Sequence, residues 1–231
     1  MKIGIMQPYF FPYIGYYQLI RAVDTFVIYD DVHYIKKGWI NRNYLLLNGE
    51  KHLFTLPLKK ASQNKLINKL YISDEHEGKR KLLQTIQNAY RKAPQFAAIY
   101  PLLEKLILYK EDHLGSYLEY SLRQLSTFLR LNTKIMRSSE IKKDIRLKGQ
   151  EKILNICKLL GADTYVNAMG GQNLYDKEVF AAQCIKLYFL RTDAIHYQQV
   201  KDPFIPNLSI IDVLMFHSKD DLNQILNAYQ F

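Results

Sequence analysis

Cysteine is scarce in this chain of 231 residues: Cys157 and Cys184 are its two thiols, too few for a disulfide framework and without metal-ligand spacing. Both lie in segments with helical or core patterning, where they are expected to be buried fillers. Long apolar runs are missing as well. No stretch approaches the roughly 20 residues of a spanning helix, and the opening Met1-Lys2-Ile3-Gly4-Ile5-Met6 reads as a strand with no signal-peptide cleavage pattern behind it. The expected location is the cytoplasm, with no membrane partner. Seven prolines, no internal repeat and no low-complexity tract exclude disordered and collagen-like classes. The six histidines (His33, His52, His76, His113, His196, His217) are scattered. Without an H-x-x-x-H pair or a neighbouring cysteine they predict no structural metal.

With 48% apolar and 23% charged residues, the composition is that of a globular chain. Its length suits one α/β domain over 1–231 with a mainly helical subdomain at about 74–131. The net charge of +10 favours anionic partners, but the basic residues are dispersed and no nucleic-acid-binding motif is present, so nucleic acid is not the expected partner. Eighteen tyrosines identify nothing by themselves, since most must belong to the core or its edge. Oligomeric state is left open.

The apolar run Lys2 to Gln7, stopped by Pro8, suits a buried parallel strand. Helical spacing over Ile14 to Ala22 and a second apolar run, Asp24 to Tyr29, complete a βαβ unit. Asn48-Gly49 between Tyr44–Leu47 and Lys51–Leu56 predicts a hairpin. A further strand is expected at Lys69 to Ile72, then a helix capped within Ser73-Asp74-Glu75-His76-Glu77 and running to about Arg91, and two more from Pro94 to Tyr109 and His113 to Leu131. Alternation returns with strands at 134–136, 164–166 and 186–189 separated by helices at 150–160 and 177–183, and helices at 209–216 and 220–228 close the chain. The fold class is α/β, with a parallel Rossmann-like sheet and a helical insertion.

In such sheets ligands bind beyond the carboxyl ends of the strands. Gln7 to Tyr16 and Asp30 to Asn43 fall at that edge. In the first, Gln7 and Pro8 end the strand, Gly15 offers close approach to the backbone, and the following helix presents its N–H groups as an anion site. Its order of strand, proline loop and Tyr13-Ile14-Gly15-Tyr16 resembles the H-I-G-H signature of nucleotidylyltransferases and pantothenate synthetase, with tyrosines where those enzymes have histidines; a phenol stays neutral near pH 7. In the second, one of Asp30 and Asp31 is expected to face the site and can hold Mg²⁺ or orient an amine. His33 is the candidate base. Lys36, Lys37, Trp39, Asn41, Arg42 and Asn43 suit a phosphate or carboxylate clamp. A later loop, Asn167 to Asp176, carries Gly170 and Gly171 as a possible anion nest or sugar contact, with Tyr175 beside them and Asp176 also fit to cap the next helix. Ser209 and Asp212 read as the start of a structural helix.

Taken together, Gln7-Pro8-Tyr9-Phe10-Phe11-Pro12-Tyr13-Ile14-Gly15-Tyr16, Tyr29-Asp30-Asp31-Val32, Lys36 to Asn43 and Leu208-Ser209-Ile210-Ile211-Asp212 resemble the WbqC-like protein family over essentially the whole chain. The resemblance implies a place among genes for bacterial surface polysaccharides, O-antigen included, and modified amino sugars. Met169-Gly170-Gly171-Gln172 departs from it, where more Ser and Lys are expected. The expectation that follows is an ATP-dependent, Mg²⁺-requiring ligase. It forms an acyl-adenylate and passes the acyl group to the amine of a nucleotide-linked amino sugar. Gln7, Pro8, Tyr13, Gly15 and Tyr16 hold the nucleotide, Lys36, Lys37 and Arg42 stabilise developing charge, and Gly170 to Asp176 meet the acceptor. The rivals are a thioester-dependent acyltransferase with His33 as base, a nucleotidylyltransferase, and a non-catalytic protein that binds sugar nucleotides or nucleic acid.

Overall fold

Residues 1–73 and 76–231 are described by a computed structural model. Strand β1 (Lys2–Met6), helix α1 (Ile14–Arg21) and strand β2 (Thr25–Ile28) form the opening βαβ unit. The hairpin follows as β3 (Arg42–Leu47) and β4 (Glu50–Thr55). Its two turn residues, Asn48 (φ 56°) and Gly49 (φ 89°), both have positive φ, the geometry that matches the right-handed twist of the flanking strands.

The strand expected at 69–72 is largely a 3₁₀ turn, Ile67–Lys69, and only two residues pair: β5 (Leu58–Lys59) lies antiparallel to β6 (Tyr71–Ile72). Apolar residues at 67, 70 and 72 look strand-like in sequence, yet the first two turn into the core as a compact bend. Helices α2 (His76–Tyr90), α3 (Phe96–Ile107) and α4 (Leu114–Phe128) come next. The cap expected over 73–77 includes Asp74 and Glu75, which lie outside the described residues.

Alternation then resumes as β7 (Lys134–Arg137), α5 (Gly149–Leu159), β8 (Thr164–Ala168), α6 (Lys177–Ala181) and β9 (Lys186–Thr192), and the chain ends with α7 (Ile210–Phe216), α8 (Lys219–Ile225) and β10 (Tyr229–Gln230). Helix α5 ends at Gly161 (φ 69°), a left-handed stop that suits glycine. Cys157 is buried, but Cys184 is exposed at φ 58°: it sits in the tight turn between α6 and β9, where the chain reverses at the surface.

The central sheet has the order β10-β9-β8-β1-β2-β7. Every pair is parallel except β10 with β9, an antiparallel edge that the short Tyr-Gln run does not announce in sequence. Alternate residues of each strand face opposite sides. Ile3, Ile5, Val27, Tyr165, Leu187 and Phe189 meet Ile153, Ile156 and Cys157 of α5 and Phe180 of α6. Phe26, Ile28, Val166 and Leu190 face the other way into a larger core with α1, the hairpin and α2 to α4. That core buries Phe10, Phe11, Tyr16 and Tyr17 almost completely, and each such ring contributes about 2–3 kcal/mol. Among the described residues no helix is long and apolar enough to cross a membrane.

Candidate functional site

Counting outward from β1, consecutive connections run one way through β2 to β7 and then jump back to β8 on the far side. The order of the strands therefore reverses between β1 and β8, and beyond their carboxyl ends the loops of the two halves diverge and leave a crevice. A cleft of about 530 Å³ lies there. Met6, Gln7 and Tyr9 come from the end of β1, Tyr29, Val32 and Ile35 from beyond β2, Asn167, Ala168, Gly170 and Gly171 from the end of β8, and Gly149, Gln150 and Ile153 from the start of α5, with Leu174 and Tyr175 across the mouth. Among the described residues this lining holds no charged side chain, only apolar groups, three phenols and three carboxamides.

Its polar groups are held in place. The Tyr16 hydroxyl, buried in the core, donates to the Gln7 carbonyl at 2.8 Å. Asn167 is buried and its Oδ1 accepts from the Ala168 N–H at 2.8 Å. A Cβ at Gly171 would stand 2.5 Å from Asn167 Nδ2, so glycine at 171 is what lets that carboxamide occupy the cleft wall. Gln150 Oε1 accepts from the Asp176 N–H at 2.6 Å and ties the glycine loop to α5. The phenols of Tyr9, Tyr29 and Tyr175 are all pushed above the usual tyrosine range, chiefly by burial, so each remains a protonated hydrogen-bond donor at neutral pH.

Positive charge lies just behind this neutral wall. Lys143 Nζ and Lys152 Nζ both meet Asp31 Oδ2, at 2.8 and 3.1 Å, with side chains only 3% and 9% exposed against 15% for Asp31. Two ammonium groups on one carboxylate leave an uncompensated positive charge in a low-dielectric setting, where its reach is longer than in water. Lys152 Nζ stands 5.0 Å from the centre of the Tyr29 ring, which also lines the cleft. Helix α5, which carries Lys152, starts at the cleft without a side-chain cap, and its free N–H groups add a field of the same sign. Burial raises the Asp31 carboxyl, but Lys143 and Lys152 outweigh it and hold Asp31 below the ordinary aspartate value.

Four of the residues expected from sequence line the cleft: Gln7, Gly170, Gly171 and Tyr175. Others are placed elsewhere. The space over Gly15 is filled by the Tyr13 ring, which a Cβ there would meet at 2.5 Å; the start of α1 is packed against its own preceding residue, not open to an anion. Tyr16 is buried, as is Pro8, and Tyr13 lines a separate cavity. Asp30 is fully buried and accepts from Ser139 N and Oγ at 2.9 and 2.6 Å. Neither aspartate lines the cleft, because Asp31 turns to its two lysines. Among the described residues no group of three His, Cys, Asp or Glu side chains is arranged to hold a metal ion.

The 33–43 loop is also largely self-supporting. Asn41 receives the Tyr34 hydroxyl at 2.8 Å and donates to the Leu56 carbonyl, and Asn43 donates to the Phe10 and Phe11 carbonyls. Arg42 donates to the Gly38 carbonyl at 3.1 Å and to that of Lys37. Trp39 stacks edgewise on Tyr44. His33, Lys36 and Lys37 are exposed and stand outside the lining. Asp176 caps α6 by accepting from Glu178 N at 2.9 Å.

Sequence reasoning placed the loops that hold Tyr9 and Asn167 at the site without singling out those two side chains, and it left out Tyr29, Gln150 and the two buried lysines. Lys152 carried a readable signal: it occupies the same helical face as Ile153, Ile156 and Cys157, where a lysine must find a partner or lose its charge.

A relative in Mycobacterium tuberculosis, described only as an uncharacterized protein, is 28% identical over 217 residues, covering 92% of each chain. No solved structure matches. The sequence profile of the WbqC-like protein family matches residues 7–224, a span that takes in all of the cleft lining except Ile5 and Met6 of β1, and the chain belongs to that family.

Proposed function

We propose that this protein is an enzyme acting on a nucleotide-linked amino sugar in surface-polysaccharide synthesis, that the nucleotide occupies the cleft between the ends of β1 and β8, and that an acyl group activated by ATP is joined to the sugar amine. The observation that carries the reading is the position of the cleft at the reversal of strand order, with phenols to stack on or hydrogen-bond a base or sugar and positive potential from Lys143, Lys152 and the start of α5 to favour phosphates. Among the described residues the lining holds no serine, cysteine, lysine or carboxylate to act as nucleophile. Such a site suits a reaction in which the leaving group already resides on the acyl donor and the protein supplies orientation and carbonyl polarisation. The charged groups that serve this chemistry are then the buried lysines, and Lys36, Lys37 and Arg42 take the lesser part of rim residues.

The test has two stages. Equilibrium binding of UDP, dTDP, GDP and ATP is expected to show one nucleotide bound, with affinity reduced about tenfold in Asn167→Ala, about the value of one or two lost hydrogen bonds, and unchanged in Lys36→Ala. Pyrophosphate release from magnesium ATP with pooled carboxylic acids and amino-sugar nucleotides then reads the reaction. Release that needs both pools supports the ligase. Turnover with acyl thioesters and no ATP transfers the reading to the acyltransferase, and failure to bind any nucleotide overturns it.

A further inference from the structure

The sheet edge carries a second cavity, of about 290 Å³, beyond the carboxyl end of β9. Its walls are unlike those of the cleft. Tyr13, His196, Tyr197 and Phe204 contribute rings, Asp193 a carboxylate, and no lysine or arginine is among the lining residues, although the chain as a whole carries a net charge of +10. The Phe204 ring packs 5.0 Å from Tyr197 in an edge-to-face arrangement and 4.9 Å from His196. Asp193 has no ion-pair or hydrogen-bonding partner for its carboxylate among the described residues. Behind Tyr197 lies another acid: the phenol donates to Asp212 Oδ2 at 2.6 Å, and Asp212 is fully buried, accepting also from Tyr90 at 2.8 Å and from Gln199 at 2.8 Å. That network fixes the Tyr197 ring as a wall.

Aromatic faces carry negative potential and attract cations, most strongly where several rings and a carboxylate surround a desolvated centre. We propose that this cavity is a binding site for a small organic cation, an ammonium group with an alkyl or short polar substituent, held among Tyr13, Tyr197 and Phe204 with Asp193 as counter-charge. The site stands on its own walls and does not depend on what the cleft binds.

Choline and its neutral isostere 3,3-dimethyl-1-butanol separate charge recognition from simple apolar filling. Titration of the intact protein, followed by NMR of the ligand methyl groups and by calorimetry, is expected to show saturable choline binding and at least tenfold weaker binding of the alcohol. Asp193→Asn and Phe204→Ala should each weaken choline about tenfold, while both variants unfold at the wild-type urea midpoint within error or, for Phe204→Ala, slightly below it. Equal binding of the alcohol, binding untouched in both variants, or no choline binding at 20-fold above the protein concentration up to solubility would each overturn the proposal.

Discussion

Asp212 is a buried acid and Asp31 a partly buried one, and their surroundings move them in opposite directions. Burial drives Asp212 above the ordinary aspartate value despite three donors, because none of those donors carries a full charge. Asp31 suffers burial too, but two ammonium groups bring it below. A carboxyl lowered in the folded state contributes stability that is complete above its unfolded value of 3.8 and is lost as the pH falls through the lower folded value. Asp31→Asn leaves Lys143 and Lys152 without a counter-charge and is expected to cost about 3 kcal/mol at pH 7. In urea denaturation the gap between variant and wild type should narrow below pH 3.8, where wild-type Asp31 itself takes up a proton. A gap independent of pH would mean that the two lysines do not favour the ionised form of Asp31 in the folded protein. The pairing was hidden in the sequence because Asp31 and its two partners are separated by the whole helical layer, and no local rule links them.

Elements were easier to read where local chemistry decides them. The hairpin follows from Asn48-Gly49 alone, α6 from Asp176 and α7 from Ser209, while the Ser218–Asp221 capping box that starts α8 was not noticed. Elements decided by tertiary partners were less legible: β5 was missed and β6 was read as a longer strand over 69–72, because the two short segments pair only where they meet, and β10 was missed because it forms only where β9 offers an open edge. The same division predicts the outcome of a turn mutation. Gly49→Ala puts a Cβ at φ 89° and within 3.2 Å of the Lys201 side chain. It should cost about 1 kcal/mol, mainly through the backbone, since the lysine can move aside. Thermal denaturation would show it; an unchanged midpoint would mean the hairpin had adopted another turn. The larger departure in the site has the same origin: the first aromatic loop was read as facing one ligand, whereas its residues alternate between the cleft, the core and the second cavity, as a chain packed on both sides must.

The molecule as a whole is organised around β1, which lies between β2 and β8. Its second neighbour, registered as Lys2 against Thr164, comes far downstream. The loop after β1 is fastened by equally distant groups: Ser209 Oγ donates to the Phe11 carbonyl and Ile210 N to that of Pro12, while Gln18, fully buried on α1, donates to the carbonyls of Ile225 and Ala228. A fragment of residues 1–131 therefore lacks one wall of the cleft and the anchors of the other. Circular dichroism of that fragment should show helix without a cooperative thermal transition, and a sharp transition would mean that α1 to α4 suffice as a folding unit. For a ribosome making the chain in order, β1 can pair early with β2 but must wait for β8, its neighbour on the other side. Until β8 and the last helices follow, the apolar flanks of β1 remain a surface for chaperones to cover, and the pocket on which the proposed chemistry depends does not yet exist.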